Sequence, residues 1–202
     1  MKLIQQGGGL APSVEVATRL QHGRVLLRAA RETDWRQYAE LRAASRTFLE
    51  PWEPTWPSDS LTRLTFQRRL HRYQEEWHRG IGFTFFIFAA IDDALLGGIG
   101  VTNIRRGVAQ AGTIGYWIGE THAGMGLMGE ALEAVLAFCF DELGLHRAEA
   151  ACLPSNERSR RLLESAGFVR EGYAEKYLKI RGAWQDHLLF GLRADEFQKV
   201  LS

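Results

Sequence analysis

Two clusters of residues in this 202-residue chain have the types and the spacing to do chemistry. The first is Gly124-Met125-Gly126-Leu127-Met128-Gly129. It lies between a β-branched and aromatic run, Thr113–Ile118, and an apolar pattern at helical spacing that reaches Leu143. A glycine-rich turn between strand and helix collects free backbone N–H groups and the positive end of the helix dipole, so it suits a phosphate or pyrophosphate. The letters also spell G-x-G-x-x-G, with Glu149 where a ribose-binding acid could fall. That reading is disfavoured, because the dinucleotide glycines follow their strand at once and here Gly119–Ala123 intervene. The second cluster is Asn156-x-x-Ser159, opening a short helical stretch about thirty residues on. Cys139 and Cys152 give no disulfide framework and no metal spacing, and the histidines show no paired pattern, so no metal is expected. Cys139 reads as core, and Cys152 as a thiol near the site.

The elements that must position these residues follow from periodicity and punctuation. Residues 1–23 hold three consecutive glycines and little periodicity, and read as a flexible N-terminal extension; residues 24–202 read as one domain. Arg24–Ala29 is a strand. Thr33 or Asp34 caps a helix in which Trp35, Tyr38, Leu41 and Ala44 recur. In 48–57, Pro51, Pro54 and Pro57 argue against regular structure, and Trp52 and Trp56 are there either to pack down or to wall a cleft. A helix over Ser60–Gly80 precedes a hairpin, Phe83–Ile91 with Leu95–Arg105, and then the strand Ala111–Ile118. The helix from Leu127 ends at Gly144. Arg147–Leu153 is a strand, Pro154–Ala166 a short helix, and Tyr173–Ile180 with Trp184–Leu192 a second hairpin turned at Arg181-Gly182. Ala194–Leu201 gives a last helical turn or two. The order β-α-α-β-β-β-α-β-α-β-β predicts a single α/β (α+β) domain, a mixed sheet with helices on both faces.

A formal net charge of +1 implies no broad attraction to nucleic acid or to a membrane surface. The longest apolar run, Phe83–Ile91, is too short to span a bilayer, and the N-terminus lacks a signal pattern, so the cytoplasm is the expected location.

The glycine turn, taken with Asn156-x-x-Ser159-x-x-Leu162-Leu163-Glu164-x-x-Gly167-Phe168, resembles the GNAT superfamily of acyl-CoA N-acyltransferases. Leu49-Glu50-Pro51-Trp52-Glu53-Pro54, His146-Arg147, the run from Arg170 to Leu178, and Gly182-x-Trp184-x-Asp186-His187 look like its RimJ group. Members of that group, similar to RimL, acetylate the N-terminal residue of ribosomal proteins. The resemblance spans roughly 24–193. It implies a mostly antiparallel sheet with a splayed parallel pair, and acetyl-CoA as donor. It implies that the pyrophosphate rests on Gly124, Met125, Gly126, Leu127, Met128 and Gly129, and that the pantetheine pairs beside Tyr116, Trp117 and Ile118. A backbone N–H near Trp117–Gly119 would polarise the thioester carbonyl. Trp52, Trp56 and Tyr177 are the acceptor-side expectations. The chain departs from the pattern at Ala123 and Met125, where the family's turn has Gln or Arg and often Lys or Arg. It departs again at Leu163, where many members place the tyrosine that protonates the leaving thiolate. Ser159 or Asn156 would then stabilise the sulfur.

An acceptor amine must be neutral to attack. An α-amino group, with a pKa near 8, loses its proton at pH 7 for about 1–1.5 kcal/mol, whereas a lysine needs roughly 4–5 kcal/mol. A protein N-terminus therefore needs only a weak base, and Glu175, with Glu120 and Glu50 behind it, is the expected one. No Ser/His/Asp arrangement calls for an acyl-enzyme, so direct transfer in a ternary complex is expected. The expected acceptor is a protein N-terminus. The alternatives are a small amine (polyamine, antibiotic or amino acid) and a non-catalytic acyl-CoA-binding module. Monomer and homodimer both stay open.

Overall fold

The computed structural model describes residues 18–200. Among the described residues, eight strands form one sheet in the order β1-β2-β3-β4-β5-β6-β8-β7. They are β1 (Arg19–His22), β2 (Val25–Arg28), β3 (Phe83–Ala89), β4 (Leu95–Arg105), β5 (Ala111–Ile118), β6 (Arg147–Cys152), β7 (Val169–Ile180) and β8 (Ala183–Arg193). The α-helices that accompany them are α1 (Trp35–Ala44), α2 (Arg46–Leu49), α3 (Arg63–His78), α4 (Leu127–Ala137), α5 (Glu157–Ser165) and α6 (Ala194–Val200).

β3 shows how composition becomes layers. Phe83, Phe85 and Ile87 enter one core, with Leu127, Leu132 and Val135 of α4. Phe86 and Phe88 point the other way, into a smaller core with Tyr38 of α1 and Phe66 and Leu70 of α3. A strand covered on both faces needs no polar positions, so its sequence is a nearly unbroken apolar run. Tyr38 lies close to parallel with Phe86 at 5.6 Å between ring centroids, fixing α1 to the sheet.

Every neighbouring pair is antiparallel except β5 and β6. That parallel pair is in register only from Ala111↔Arg147 to Thr113↔Glu149. β5 then runs on to Ile118 still paired with β4, and β6 runs on to Cys152 still paired with β8. The two strands diverge because each follows its antiparallel partner. The sheet opens there into a V.

Several elements differ from what the sequence predicts. Of the N-terminal stretch expected to be an extension, residues 1–17 lie outside the described residues. Arg19–His22 nonetheless forms edge strand β1, turned into β2 at Gly23-Arg24 with Gly23 at φ +52°. His22 then meets Glu133 of α4 at 2.8 Å. The proline-rich loop is more regular than expected: α2 precedes a 3-10 turn over Glu50–Trp52, whose early positions tolerate Pro51 because no N–H is needed there. α3 starts at Arg63, capped by the Thr62 hydroxyl accepting from the Thr65 N–H at 3.3 Å. The long helix widens after α4 into a π-turn over Phe138–Glu142, in which the Leu143 N–H reaches the Phe138 carbonyl.

Candidate active site

The V holds a cleft of about 740 Å³. One wall is β5 from Ile114 to Ile118; the other is Ala151–Leu153 with α5. The Gly119 N–H donates to the Leu96 carbonyl at 2.9 Å. Strand alternation therefore turns the N–H groups of Trp117 and Gly115 toward β4, and those of Ile118 and Tyr116 toward the open side. The N–H expected near Trp117–Gly119 to polarise a carbonyl narrows to Ile118, since that of Gly119 is already spent.

At one end of the cleft the chain turns into α4. Gly124 and Gly126 have φ of +77° and +81°, a region closed to most side chains. Gly126 is the N-cap residue, and the Gly129 and Glu130 N–H groups close the first turn onto its carbonyl. The N–H groups of Leu127 and Met128 precede any such partner and stay available at the positive end of the helix. Ala123, Gly124, Gly126, Leu127, Met128 and Gly129 all line the cleft. Met125 does not: its side chain is exposed, and its carbonyl accepts from Arg24 Nη2 at 2.8 Å. Arg24 also forks onto Glu130 in the first turn of α4, so the β1–β2 turn braces the glycine turn from behind. Free main-chain N–H groups at a helix start suit an anion, and Arg158 and Arg161 of α5 also line the cleft.

At the middle of the cleft, Asn156 and Ser159 come from the start of α5. The Asn156 side-chain oxygen accepts from the Ser159 N–H at 3.1 Å, an ordinary cap. The Ser159 hydroxyl lies 2.7 Å from the Tyr116 hydroxyl, which crosses from β5. Burial holds the Tyr116 phenol well above its ordinary range, with the Ser159 bond opposing. Burial likewise raises the Cys152 thiol, against a hydrogen bond from Ser159. Leu163 is fully buried in the core. The position where the resemblance leads to the expectation of a tyrosine is thus apolar, but the Tyr116 hydroxyl arrives from the opposite wall.

The far end is walled by Phe48, Leu49, Trp52, Glu53 and Pro54 on one side and by Leu178, Lys179, Ile180 and His187 on the other. The Arg181 N–H donates to the Glu53 carbonyl at 3.1 Å and closes the two walls together. Glu53 is the carboxylate of this end, and it is already neutralised: Arg42 donates to both its oxygens at 2.8 and 2.6 Å, and Trp56 Nε1 donates at 2.7 Å. Trp56 itself is buried under the Arg42 guanidinium, 4.1 Å from its ring centroid, so it packs down rather than walling the cleft. Tyr177 is half exposed and outside the lining; it meets the edge of His187 at 5.8 Å. Glu175 is exposed and does not line the cleft. It precedes Lys176, whose φ of +46° marks the irregularity in β7. That irregularity turns Glu175 out and Leu178 in. Glu120 is exposed, and Glu50 is held by Arg46 at 2.7 Å. None of the three expected bases lines the cleft. His187, 3 % exposed in mid-strand, is the cleft residue that the sequence marks only as part of a motif. The available signal is a histidine set at the head of an apolar half-strand.

A splayed parallel pair, main-chain N–H groups on its open side and an anion-binding helix start define an acyl-CoA N-acyltransferase. The chain belongs to the acetyltransferase (GNAT) family, whose domain model matches residues 24–169. It is 35% identical over 179 residues to the [ribosomal protein uS5]-alanine N-acetyltransferase of Escherichia coli, covering 89% of this chain and 92% of that one. The Mycobacterium smegmatis RimJ structure in complex with CoA-disulfide superposes with a TM-score of 0.82 at 33% identity, covering 89% and 87%. The ribosomal-protein-S5-alanine acetyltransferase of Vibrio fischeri gives 0.82 at 30% identity, covering 89% and 98%. The enzyme therefore uses acetyl-CoA as acyl donor.

Proposed function

We propose that this enzyme acetylates the N-terminal α-amine of a protein, with a ribosomal protein beginning with alanine as the model acceptor, in the cytoplasm. The observation that carries the reading is the far end of the cleft. Its walls are largely apolar, and the Glu53 carboxylate is already taken by Arg42 and Trp56. A polycation would need free negative charge there; a short neutral side chain followed by extended backbone would not. The E. coli and V. fischeri relatives, named for action on the alanine of a ribosomal protein, support the same acceptor.

In this reading acetyl-CoA supplies an activated acyl group and a thiolate leaving group. The glycine turn and the first N–H groups of α4 hold its pyrophosphate. The Ile118 N–H donates to the carbonyl oxygen as negative charge develops, an interaction that strengthens toward the transition state. Ser159 faces the sulfur and passes it a proton, with the Tyr116 hydroxyl behind it as the next donor. Trp52 stands on the acceptor side. The raised thiol of Cys152 is a poor nucleophile at neutral pH, which favours direct transfer over an acyl-enzyme.

The test is release of CoA thiol from acetyl-CoA with a panel of acceptors: peptides with free N-terminal Ala, Ser or Met, the same peptides blocked, and polyamines. Turnover restricted to free N-termini is expected. Turnover restricted to polyamines would overturn the acceptor while leaving the acyltransferase in place.

A further inference from the structure

We propose that His187 is the general base of this enzyme, taking the proton of the acceptor amine at its Nε2. The inference rests on the acceptor reading above, because it assigns the far end of the cleft to the amine. Its geometry is independent of that reading. His187 sits on β8 at the far end of the cleft, 3 % exposed, with Leu178 and Ile180 beside it in the wall. Its Nδ1 lies 3.0 Å from the Gln185 carbonyl oxygen. A carbonyl can only accept, so Nδ1 carries the hydrogen. In a neutral imidazole the lone pair is then on Nε2. Nε2 has no hydrogen-bond partner among the described residues, and the residue lines the cleft. The Tyr177 ring packs against the imidazole in a T-shaped contact, 5.8 Å between ring centroids.

The other groups on the cleft do not do this work. Glu53, on the loop opposite, accepts three N–H bonds and is neutralised by Arg42. Lys179 of β7 and Arg158 and Arg161 of α5 are cations and cannot accept a proton at neutral pH. Tyr116 and Cys152 are held protonated by burial and belong to the sulfur side. Asp186, next to His187 on β8, is occupied by the Tyr173 hydroxyl and the Lys176 N–H. His122 also lines the cleft, but at the start of the glycine turn, at the donor end. An imidazole whose Nε2 lone pair is free can take one proton from the amine and hand it on to solvent.

The step balances. The amine nitrogen forms a bond to the acyl carbon and the acyl–sulfur bond breaks. One amine proton goes to Nε2, and the leaving thiolate takes one through the Ser159 hydroxyl. The imidazolium then releases its proton to solvent, and the hydroxyl pair is refilled from it.

The experiment compares the wild-type chain with His187→Asn and His187→Gln, using an N-terminal Ala peptide and acetyl-CoA. Asn keeps a donor for the Gln185 carbonyl and removes the base. Both variants are expected to lose about 10²–10³-fold in kcat, with acetyl-CoA binding by calorimetry within about twofold of wild type. The kcat of wild type should show an acid limb that ends in a plateau, as expected for a base that works unprotonated. That of the variants should go on rising with pH as hydroxide and water take over. Asn at wild-type kcat with an unchanged profile would reduce His187 to a structural hydrogen bond and overturn the proposal. Loss of the acid limb in His122→Asn instead would move the base to the donor end and overturn it too. Nitrogen-15 NMR of histidine-labelled wild type reads the tautomer without any substitution: Nδ1–H is expected for His187, and Nε2–H would overturn the proposal. If the wild type acetylates a small amine and no peptide, the acceptor reading fails alone, and the same variants are run on that amine.

Discussion

At the scale of single residues, the proposed chemistry uses hydroxyl, amide and imidazole groups that approach from separate walls of one cleft. Ser159 and Tyr116, 2.7 Å apart, form a short relay across the V. Ser159→Ala removes the hydroxyl that would serve the sulfur and should cut kcat about 10–100-fold. Tyr116→Phe leaves Ser159 in place with only solvent behind it and should cost less. In both, KM for the peptide should stay within a fewfold, because neither side chain reaches the acceptor end. Steady-state kinetics with an alanine peptide decides it, and a larger loss in Tyr116→Phe than in Ser159→Ala would reverse the order of the relay. The meeting of Asn156 and Ser159 at one end of α5 is legible because the two lie three positions apart, and the family resemblance is what singles them out. Tyr116 is legible only as a strand residue, since a hydroxyl pair 43 positions apart leaves no local pattern. The placements of Glu175, Trp56 and Tyr177 are illegible for a related reason. They depend on an irregularity in β7 and on the Arg42–Glu53–Trp56 contact, and neither has a periodic signature.

At the scale of elements, the start of α4 is a piece of backbone held in an unusual conformation for a purpose. Gly124 and Gly126 both have positive φ, and a Cβ on Gly126 would also sit 3.3 Å from Arg24 Nη2. Gly126→Ala should cost about 1–2 kcal/mol of strain, relieved by turning the N–H groups away from the anion. A loss of that size corresponds to roughly a tenfold rise in KM for acetyl-CoA with kcat little changed, if the proposed pyrophosphate contact is made here, because it is the same in ground and transition states. Initial rates against acetyl-CoA concentration test this; a fall in kcat at unchanged KM would place the glycine in the chemistry instead. This turn is the most legible element, because strand, glycines and amphipathic helix each carry a strong local signal. β1 is the least legible. Its four residues, RLQH, are mostly polar, and they become a strand only because the Gly23-Arg24 turn lays them against β2 and beside α4. The prolines of the 48–57 loop do break regular helix, yet Pro51 falls where a 3-10 turn does not need an N–H.

At the scale of the whole molecule, the V that makes the site also divides the sheet. β1–β5 and β6–β8 share a backbone ladder over only three residue pairs, Ala111↔Arg147 to Thr113↔Glu149. Ion pairs concentrate at this closed end. Arg105 of β4 reaches Glu149 of β6 at 2.6 Å, Arg147 reaches the same carboxylate at 3.2 Å, and Arg147 also forks onto Glu171 of β7. To do so its guanidinium lies over Gly191 of β8, where a Cβ would collide with it. One arginine thus laces β6, β8 and β7 beside the narrow ladder. Its hydrogen bonds hold the Glu171 carboxyl below the ordinary glutamate range, more than burial raises it. The sign follows from linkage: a carboxyl depressed in the folded state contributes stability above its unfolded pKa, about 4.3, and loses it as pH falls through the folded value. Arg147→Met keeps the aliphatic cover over Gly191 and removes the charge. The difference in thermal midpoint between wild type and Arg147→Met should be largest above about pH 5, shrink as pH drops below about 4, and shrink also with added salt, since these pairs are partly exposed. Melting curves by circular dichroism from about pH 3 to about pH 8 measure it. A gap that stays constant across that range would mean that the arginine acts through packing alone, leaving the three-residue ladder and the larger buried core, which takes residues from both sides of the V, to hold the two halves of the sheet together.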